Sequence, residues 1–269
     1  MTAGDGTRLI ARHAGRGVPV VLVHGSAGGL DSWNPVTPFL DDGFEVWVYA
    51  RRGYAPSSGC GRPKTYADDV DDLRAVLTAI GRPAHVVGGS YGGTVALHAA
   101  NANRTAIRSV TVFEPPLYAA GPPMAAARDR YRELLQAGDL ATATRVFATD
   151  VARMPAAIVA APAEADAGPP PDDADRAAAL AEAVGCLHDL EAMAADTVDV
   201  QRWRHIDAPA LILHGSDTWA PMPATMAALA NALPGARRTV LPGQTHFAPH
   251  TAPGLFAQAL RAFLDEHNQ

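Results

Sequence analysis

The stretch 84–93, Ala84-His85-Val86-Val87-Gly88-Gly89-Ser90-Tyr91-Gly92-Gly93, decides how this chain is read. An apolar, β-branched run closes on the pattern G-x-S-x-G at 88–92, and the helix-forming sequence TVALHAANA follows at once. A strand that turns straight into a helix through that pattern leaves its serine on a turn too tight for neighbouring side chains. Gly88 and Gly92 are therefore expected to let strand and helix approach, with Ser90 in strained geometry and its hydroxyl exposed. The Tyr91 N–H then falls at the helix N-terminus, where amide and helix dipole together favour an oxyanion. Other meanings of a glycine-rich turn fit less well, since the Lys-Ser/Thr ending of a phosphate-binding loop and the full G-x-G-x-x-G of a dinucleotide fold are both missing.

Outward from this point, short apolar runs alternate with helix-length segments. The runs are VPVVLVHG (18–25), FEVWVYA (44–50), AHVVGGS (84–90), SVTVFEP (109–115), APALILHG (208–215) and RRTVLPG (237–243). Strands this apolar suit a sheet covered on both faces. Helices are predicted over 65–81, 91–102, 223–235 and 254–267, so the order reads as repeated βα units around a mainly parallel central sheet flanked by helices, an α/β fold. From 117 to 203 the strands stop. Helices are expected there over Met124 to Gln136, over Asp139 to Met154 with Pro155 as its stop, and over Ala174 to Ala195, with a flexible loop at 161–173. The division is thus a core over 1–116, a helical lid insertion over 117–203, and the rest of the core over 204–269.

Composition narrows the partners. The net charge is −6, 48% of residues are hydrophobic and 19% charged, values of an ordinary soluble globular protein. No segment gathers the Lys/Arg cluster that nucleic-acid capture needs. No apolar run reaches membrane-span length and the start lacks a signal-peptide pattern, so no membrane partner and a cytoplasmic location are expected. A homo-oligomer stays open. The two cysteines, Cys60 and Cys186, read as structural thiols.

The first run opens into His24-Gly25-Ser26-Ala27-Gly28-Gly29, and with it the chain resembles the α/β-hydrolase family. The loop Arg52-Gly53-Tyr54-Ala55-Pro56-Ser57 is similar to the family's R-G-x-G-x-S, with Ala55 in place of the second glycine. The resemblance implies that Ser26, the residue after the HG pair, offers its N–H to an oxyanion beside that of Tyr91, while His24 is structural. It also implies a base late in the chain: His246, in LPGQTHFAPH, stands at the family's G-x-x-H position before the last helix. A serine needs such a base at neutral pH, and imidazole titrates in the right range. His250 is its rival, and the pair could pass for a metal site, but Pro249 and the lack of a nearby carboxylate argue for no metal.

The acid that orients the imidazole has two candidates. Asp217 follows the run ALILHG, the family's usual place, yet the usual spacing is G-x-x-D, and Gly215-Ser216-Asp217-Thr218 puts the acid one residue early. Glu114 ends the run SVTVFEP, where some α/β-hydrolases carry their acid. Its bland alternative is a capping role, and that of Asp217 an Asx-turn. Glu114 is favoured over Asp217.

Together these residues imply a serine hydrolase acting on an ester, lactone or thioester of a small, largely apolar molecule, with no cofactor. Acyl transfer, cyclisation or C–C cleavage on the same site, or a ligand-binding protein that keeps the triad, are the alternatives. Trp33 and Tyr118, and after them Phe147, Met154, Met193 and Trp203, are candidate pocket residues, each also readable as packed core. Arg51 and Arg52 are expected to form solvated salt bridges, or to meet an anionic substrate group.

Overall fold

The computed structural model describes residues 1–102, 105–154 and 172–268. Pro155 and all but Asp172 and Asp173 of the predicted 161–173 loop lie outside them. Seven strands form one sheet in the order β1-β3-β2-β4-β5-β6-β7. They are β1 (Ala11–Gly15), β2 (Val18–Val23), β3 (Phe44–Tyr49), β4 (Ala84–Gly89), β5 (Ile107–Phe113), β6 (Ala210–Gly215) and β7 (Arg237–Leu241). Only β1 runs antiparallel, against β3, and every other neighbouring pair is parallel. The six expected strands are all present. β1 was not anticipated because ARHAG is exposed along most of its length, and an edge strand facing water carries no apolar run.

Side-chain alternation divides the strands between two cores. Val21, Val23, Val86, Val110, Val112 and Ile212 point to one face, while Val20, Leu22, Val46, Val48, Val87 and Leu211 point to the other. The first face is covered by α1 (Tyr66–Ile80) and α2 (Tyr91–Ala102), and by the helices that lie between Leu117 and Trp203. These are α3 (Pro122–Gln136), α4 (Leu140–Val146), a π-helical turn at Phe147–Val151, and α5 (Asp173–Ala194). α6 (Met222–Ala232) completes that layer. The second face is closed by α7 (Pro253–Glu266), whose Phe256, Leu260, Phe263 and Leu264 are buried there with Trp33, Val36 and Leu40.

Local sequence fixes the ends of these helices. Gly81 takes φ 74° and stops α1 in the left-handed conformation that a side chain would resist. Asp139 accepts from the Thr142 N–H at 3.1 Å and starts α4. The predicted helix from Asp139 to Met154 is therefore real as far as Val146 and then widens into the π turn. Among the described residues no helix is long and apolar enough to cross a membrane.

Candidate active site

The turn between β4 and α2 is as tight as its glycines predict. A Cβ on Gly88 would lie 2.1 Å from the Gly92 oxygen, and one on Gly92 would lie 2.3 Å from the Val23 oxygen. Ser90 adopts φ 53°, a left-handed backbone that costs on the order of 1–3 kcal/mol for a residue with a side chain. Its N–H is tied to the Phe113 oxygen at 2.8 Å, and its carbonyl accepts from Gly93 N–H at 2.8 Å. The loop after β2 closes on it, for a Cβ on Gly25 would meet Ser90 Cβ at 3.1 Å.

Glu114, the residue after β5, is fully buried and also left-handed, at φ 46°. Its Oε1 accepts from the Gly215 N–H at 2.9 Å, and its Oε2 accepts from the Thr218 hydroxyl at 2.9 Å. Oε2 also lies 2.7 Å from His246 Nδ1. The imidazole is held between Phe113, with ring centroids 5.9 Å apart, and Trp219, 5.0 Å away. Asp217 is exposed, and its carboxylate accepts from the Ser216 hydroxyl at 2.7 Å. The chain therefore brings Glu114 to His246 and leaves Asp217 at the surface. Thr218, in the place where G-x-x-D would put an acid, donates to the acid that stands one strand away.

Beneath Ser26 and Tyr91 lies a cluster of charges. Arg51 and Arg52 are buried, not solvated as expected, because each finds carboxylates inside the fold. Arg52 pairs with Asp72 at 2.6 Å. Arg51 pairs with Asp69 at 3.2 Å and with Asp189 of α5 at 2.7 Å. Lys64, the only lysine of the chain, reaches Asp69 at 3.0 Å and Asp189 at 2.7 Å. All four of these side chains have no solvent exposure, and two cations balance two anions. The remaining lone pairs are used too: Asp189 accepts from Ser26 Oγ at 2.6 Å and Tyr54 OH at 2.7 Å, and Asp69 accepts from Tyr91 OH at 2.8 Å. The two residues expected to supply oxyanion amides thus have their side chains anchored in one neutral, saturated network.

His24 belongs to the same loop. Its Nε2 accepts from the Arg51 N–H at 2.9 Å, which leaves the proton on Nδ1, 2.7 Å from the Gly25 oxygen. Burial, and then the Arg51 cation beside it, push its pKa down to about 3. Burial and the charge of Arg108 push His85 down to about 4. Both are neutral in the fold, whereas in the unfolded chain they protonate near their ordinary value of 6.5. The stability they contribute is complete above pH 6.5 and drains as pH falls toward 4, at about 1 kcal/mol per pH unit for each. Urea midpoints measured at pH 7 and pH 5 should fall accordingly; an unchanged midpoint would contradict the neutral assignment.

Ser90 opens onto two adjoining cavities, of about 180 Å³ and about 270 Å³, and His246 and Ser26 line both. Trp33 lines the smaller and lies against Gly89, while Met154 and His250 complete its wall. Tyr118 lines the larger and accepts from Trp219 Nε1–H at 2.8 Å. Phe147 stands between the cavities, and Met193 faces the larger one. Trp203 lines neither; it is core, edge-on to His98 at 4.7 Å. Sequence reasoning overlooked Thr218, Trp219, Arg153, Lys64 and Asp189. The threonine at the G-x-x-D position was the one visible signal, since a donor there implies an acceptor arriving from elsewhere. Among the described residues no three His, Cys, Asp or Glu side chains gather as a metal site requires.

A family model described as "Alpha/beta hydrolase family" matches residues 20–259. The pimeloyl-[acyl-carrier protein] methyl ester esterase of Methylococcus capsulatus is 38% identical over 109 residues, which is 39% of this chain and 40% of that protein. The match therefore spans about two-fifths of that relative's length. A crystal structure of an alpha/beta hydrolase from Sphaerobacter thermophilus superposes with a TM-score of 0.81 at 29% identity, covering 98% of each chain. The enol-lactonase of Burkholderia xenovorans shares the fold, with a TM-score of 0.77 at 21% identity over 98% of each chain.

Proposed function

Since this chain belongs to the alpha/beta hydrolase family and is an enzyme of the hydrolase type, we propose that it is a serine hydrolase that cleaves an ester, lactone or thioester of a small, largely apolar molecule through an acyl-enzyme on Ser90. The observation that carries this reading is the 2.7 Å contact of His246 Nδ1 with a buried Glu114, at a histidine that shares both cavities with the left-handed Ser90. Bonded through Nδ1–H to the carboxylate, the imidazole keeps Nε2 free as a base.

Nε2 takes the Ser90 hydroxyl proton as Oγ bonds to the acyl carbon, and the carbonyl electron pair moves onto oxygen. The N–H groups of Ser26 and Tyr91 hold that oxyanion. When it collapses, the bond to the leaving oxygen or sulfur breaks, and the leaving group takes the proton from Nε2. Water then gives a proton to Nε2 as its oxygen adds to the acyl carbon. The second collapse releases the acid and returns the proton to Ser90 Oγ. Glu114 steadies the imidazolium in both halves without taking the proton.

The helices from 117 to 203 serve in this reading as a lid, supported by the walls that Met124, Phe147 and Met193 supply to the larger cavity. A fluorophosphonate probe should label the protein stoichiometrically and label Ser90→Ala not at all, as read by intact-protein mass. Labelling that survives Ser90→Ala, or none in the parent chain, would rule the reading out.

A further inference from the structure

Four non-glycine residues among the described ones adopt a left-handed backbone: Ala27, Ser90, Glu114 and Arg153. Such geometry is costly and collects at functional positions, where the surrounding structure holds it. Three of the four already belong to the candidate site. Ser90 is its nucleophile, Glu114 holds His246, and Ala27 follows Ser26 and lines the smaller cavity. The fourth, Arg153 at φ 47°, has no part in the hydrolytic steps, yet it lines the larger cavity together with Ser90 and His246.

Its surroundings show what it can do there. The guanidinium lies over the Trp219 ring, 5.9 Å from the centroid, and among the described residues no carboxylate pairs with it. Asp150, an acid lining the same cavity, is already engaged: it accepts from the Thr149 hydroxyl at 2.8 Å and faces Arg130 at 3.4 Å. The rest of the wall is mainly apolar, with Met124, Met193 and Met222 and the Trp219–Tyr118 pair. Among the described residues, an exposed cation without a carboxylate partner, on a left-handed backbone, thus lines a mainly apolar cavity, where it is placed to meet a negative charge.

We infer that Arg153 is a specificity-determining residue and that the preferred substrate is an ester, lactone or thioester whose acyl chain ends in a carboxylate. The inference rests on the serine-hydrolase reading and deepens it. Distances bound the length of the chain. Trp219 stands 5.0 Å from the His246 ring and Arg153 5.9 Å from the Trp219 ring, so the guanidinium is within about 11 Å of the base. Once an ion-pair contact of ~4 Å is taken from that upper bound, an acyl chain of at most about six carbons spans carbonyl and cation. The apolar middle of such a chain meets the methionines, and its charged end meets Arg153.

The test compares the p-nitrophenyl monoester of adipic acid with its neutral methyl ester of the same length, in the parent chain, Arg153→Gln and Arg153→Lys. The ratio of kcat/KM for the charged over the neutral ester should fall about fivefold in Arg153→Gln, the size of a partly exposed ion pair. The change should lie mainly in KM, and Arg153→Lys should restore part of it. A ratio that is the same in the parent and in Arg153→Gln overturns the inference. Free adipate, followed by calorimetry, reads the same contact without turnover: it should bind the parent chain more tightly than Arg153→Gln, and equal binding or none also overturns the inference. Failure of both esters to react, together with absent labelling of Ser90, would instead count against the serine-hydrolase reading, while the adipate result still decides the role of Arg153.

Discussion

Replacing Glu114 by glutamine is expected to lower kcat by about 10³- to 10⁴-fold with KM little changed, while Asp217→Asn is expected to stay within about twofold of the parent chain. The size of the first effect comes from donor and acceptor accounting. Glu114 receives three donors: Gly215 N–H on Oε1, and the Thr218 hydroxyl and His246 Nδ1–H on Oε2. A carboxylate accepts all three, but an amide has one oxygen. If its NH₂ takes the Oε1 position, it opposes the Gly215 N–H in a buried site. If the NH₂ takes the Oε2 position, His246 must present Nδ1 as an acceptor, and its proton moves to the nitrogen that should receive the Ser90 proton. Either arrangement removes the base or the support for its charge. Asp217 is instead exposed, and its carboxylate accepts from the hydroxyl of its neighbour Ser216. Burst and steady-state kinetics of an activated ester on the two variants measure both effects. Loss of activity in Asp217→Asn, with Glu114→Gln left active, would exchange their roles.

The second large effect falls on stability. Asp189→Ala should destabilise the protein by ~3–5 kcal/mol, the cost of leaving buried charges unpaired, against a total that is typically ~5–15 kcal/mol for a folded domain. Asp189 is fully buried and is the partner of Arg51, Lys64, Ser26 and Tyr54. Its removal leaves a net positive cluster with no water to solvate it. Burial alone would raise the Asp189 pKa, but Arg51 and Lys64 overcome that and hold the group below the ordinary carboxylate range. A depressed carboxyl contributes stability that is complete above its unfolded value near ~3.9 and is lost as pH falls through the lower folded value. Urea unfolding should therefore separate the parent from Asp189→Ala by the full amount at pH 7, with the gap narrowing only below about pH 4. A gap under about 1 kcal/mol at pH 7 would show that the network is worth no more than a surface pair.

The contrast between what the residues disclosed and what they hid follows the range of the interactions. The six apolar strands, the G-x-S-x-G turn and the helices around it are local patterns, and their periods and glycines were legible directly. β1 was not, because an exposed edge strand needs no apolar face. The partners of Glu114 lie at the end of β6, on the loop after it and on the segment after β7, brought together by a parallel sheet and not by spacing. Arg51 looked like a surface residue because the carboxylate that buries it, Asp189, comes from a helix 138 positions later. Lys64 showed only that it was the sole lysine, and nothing local distinguishes a solvated lysine from one enclosed by two aspartates.

The position of Glu114 bears on how such an enzyme can change over generations. β5 and β6 are neighbours in register, Phe113 beside Leu213, so their ends present two adjacent seats from which a carboxylate can reach the same imidazole. Here one seat holds Glu114 and the other holds Thr218, which lends it a hydroxyl. A lineage could pass between the two arrangements through an ancestor with acids at both seats, never leaving the histidine without a partner. In this corner of the molecule the sheet supplies two neighbouring places, one for the acid and one for the hydroxyl that supports it.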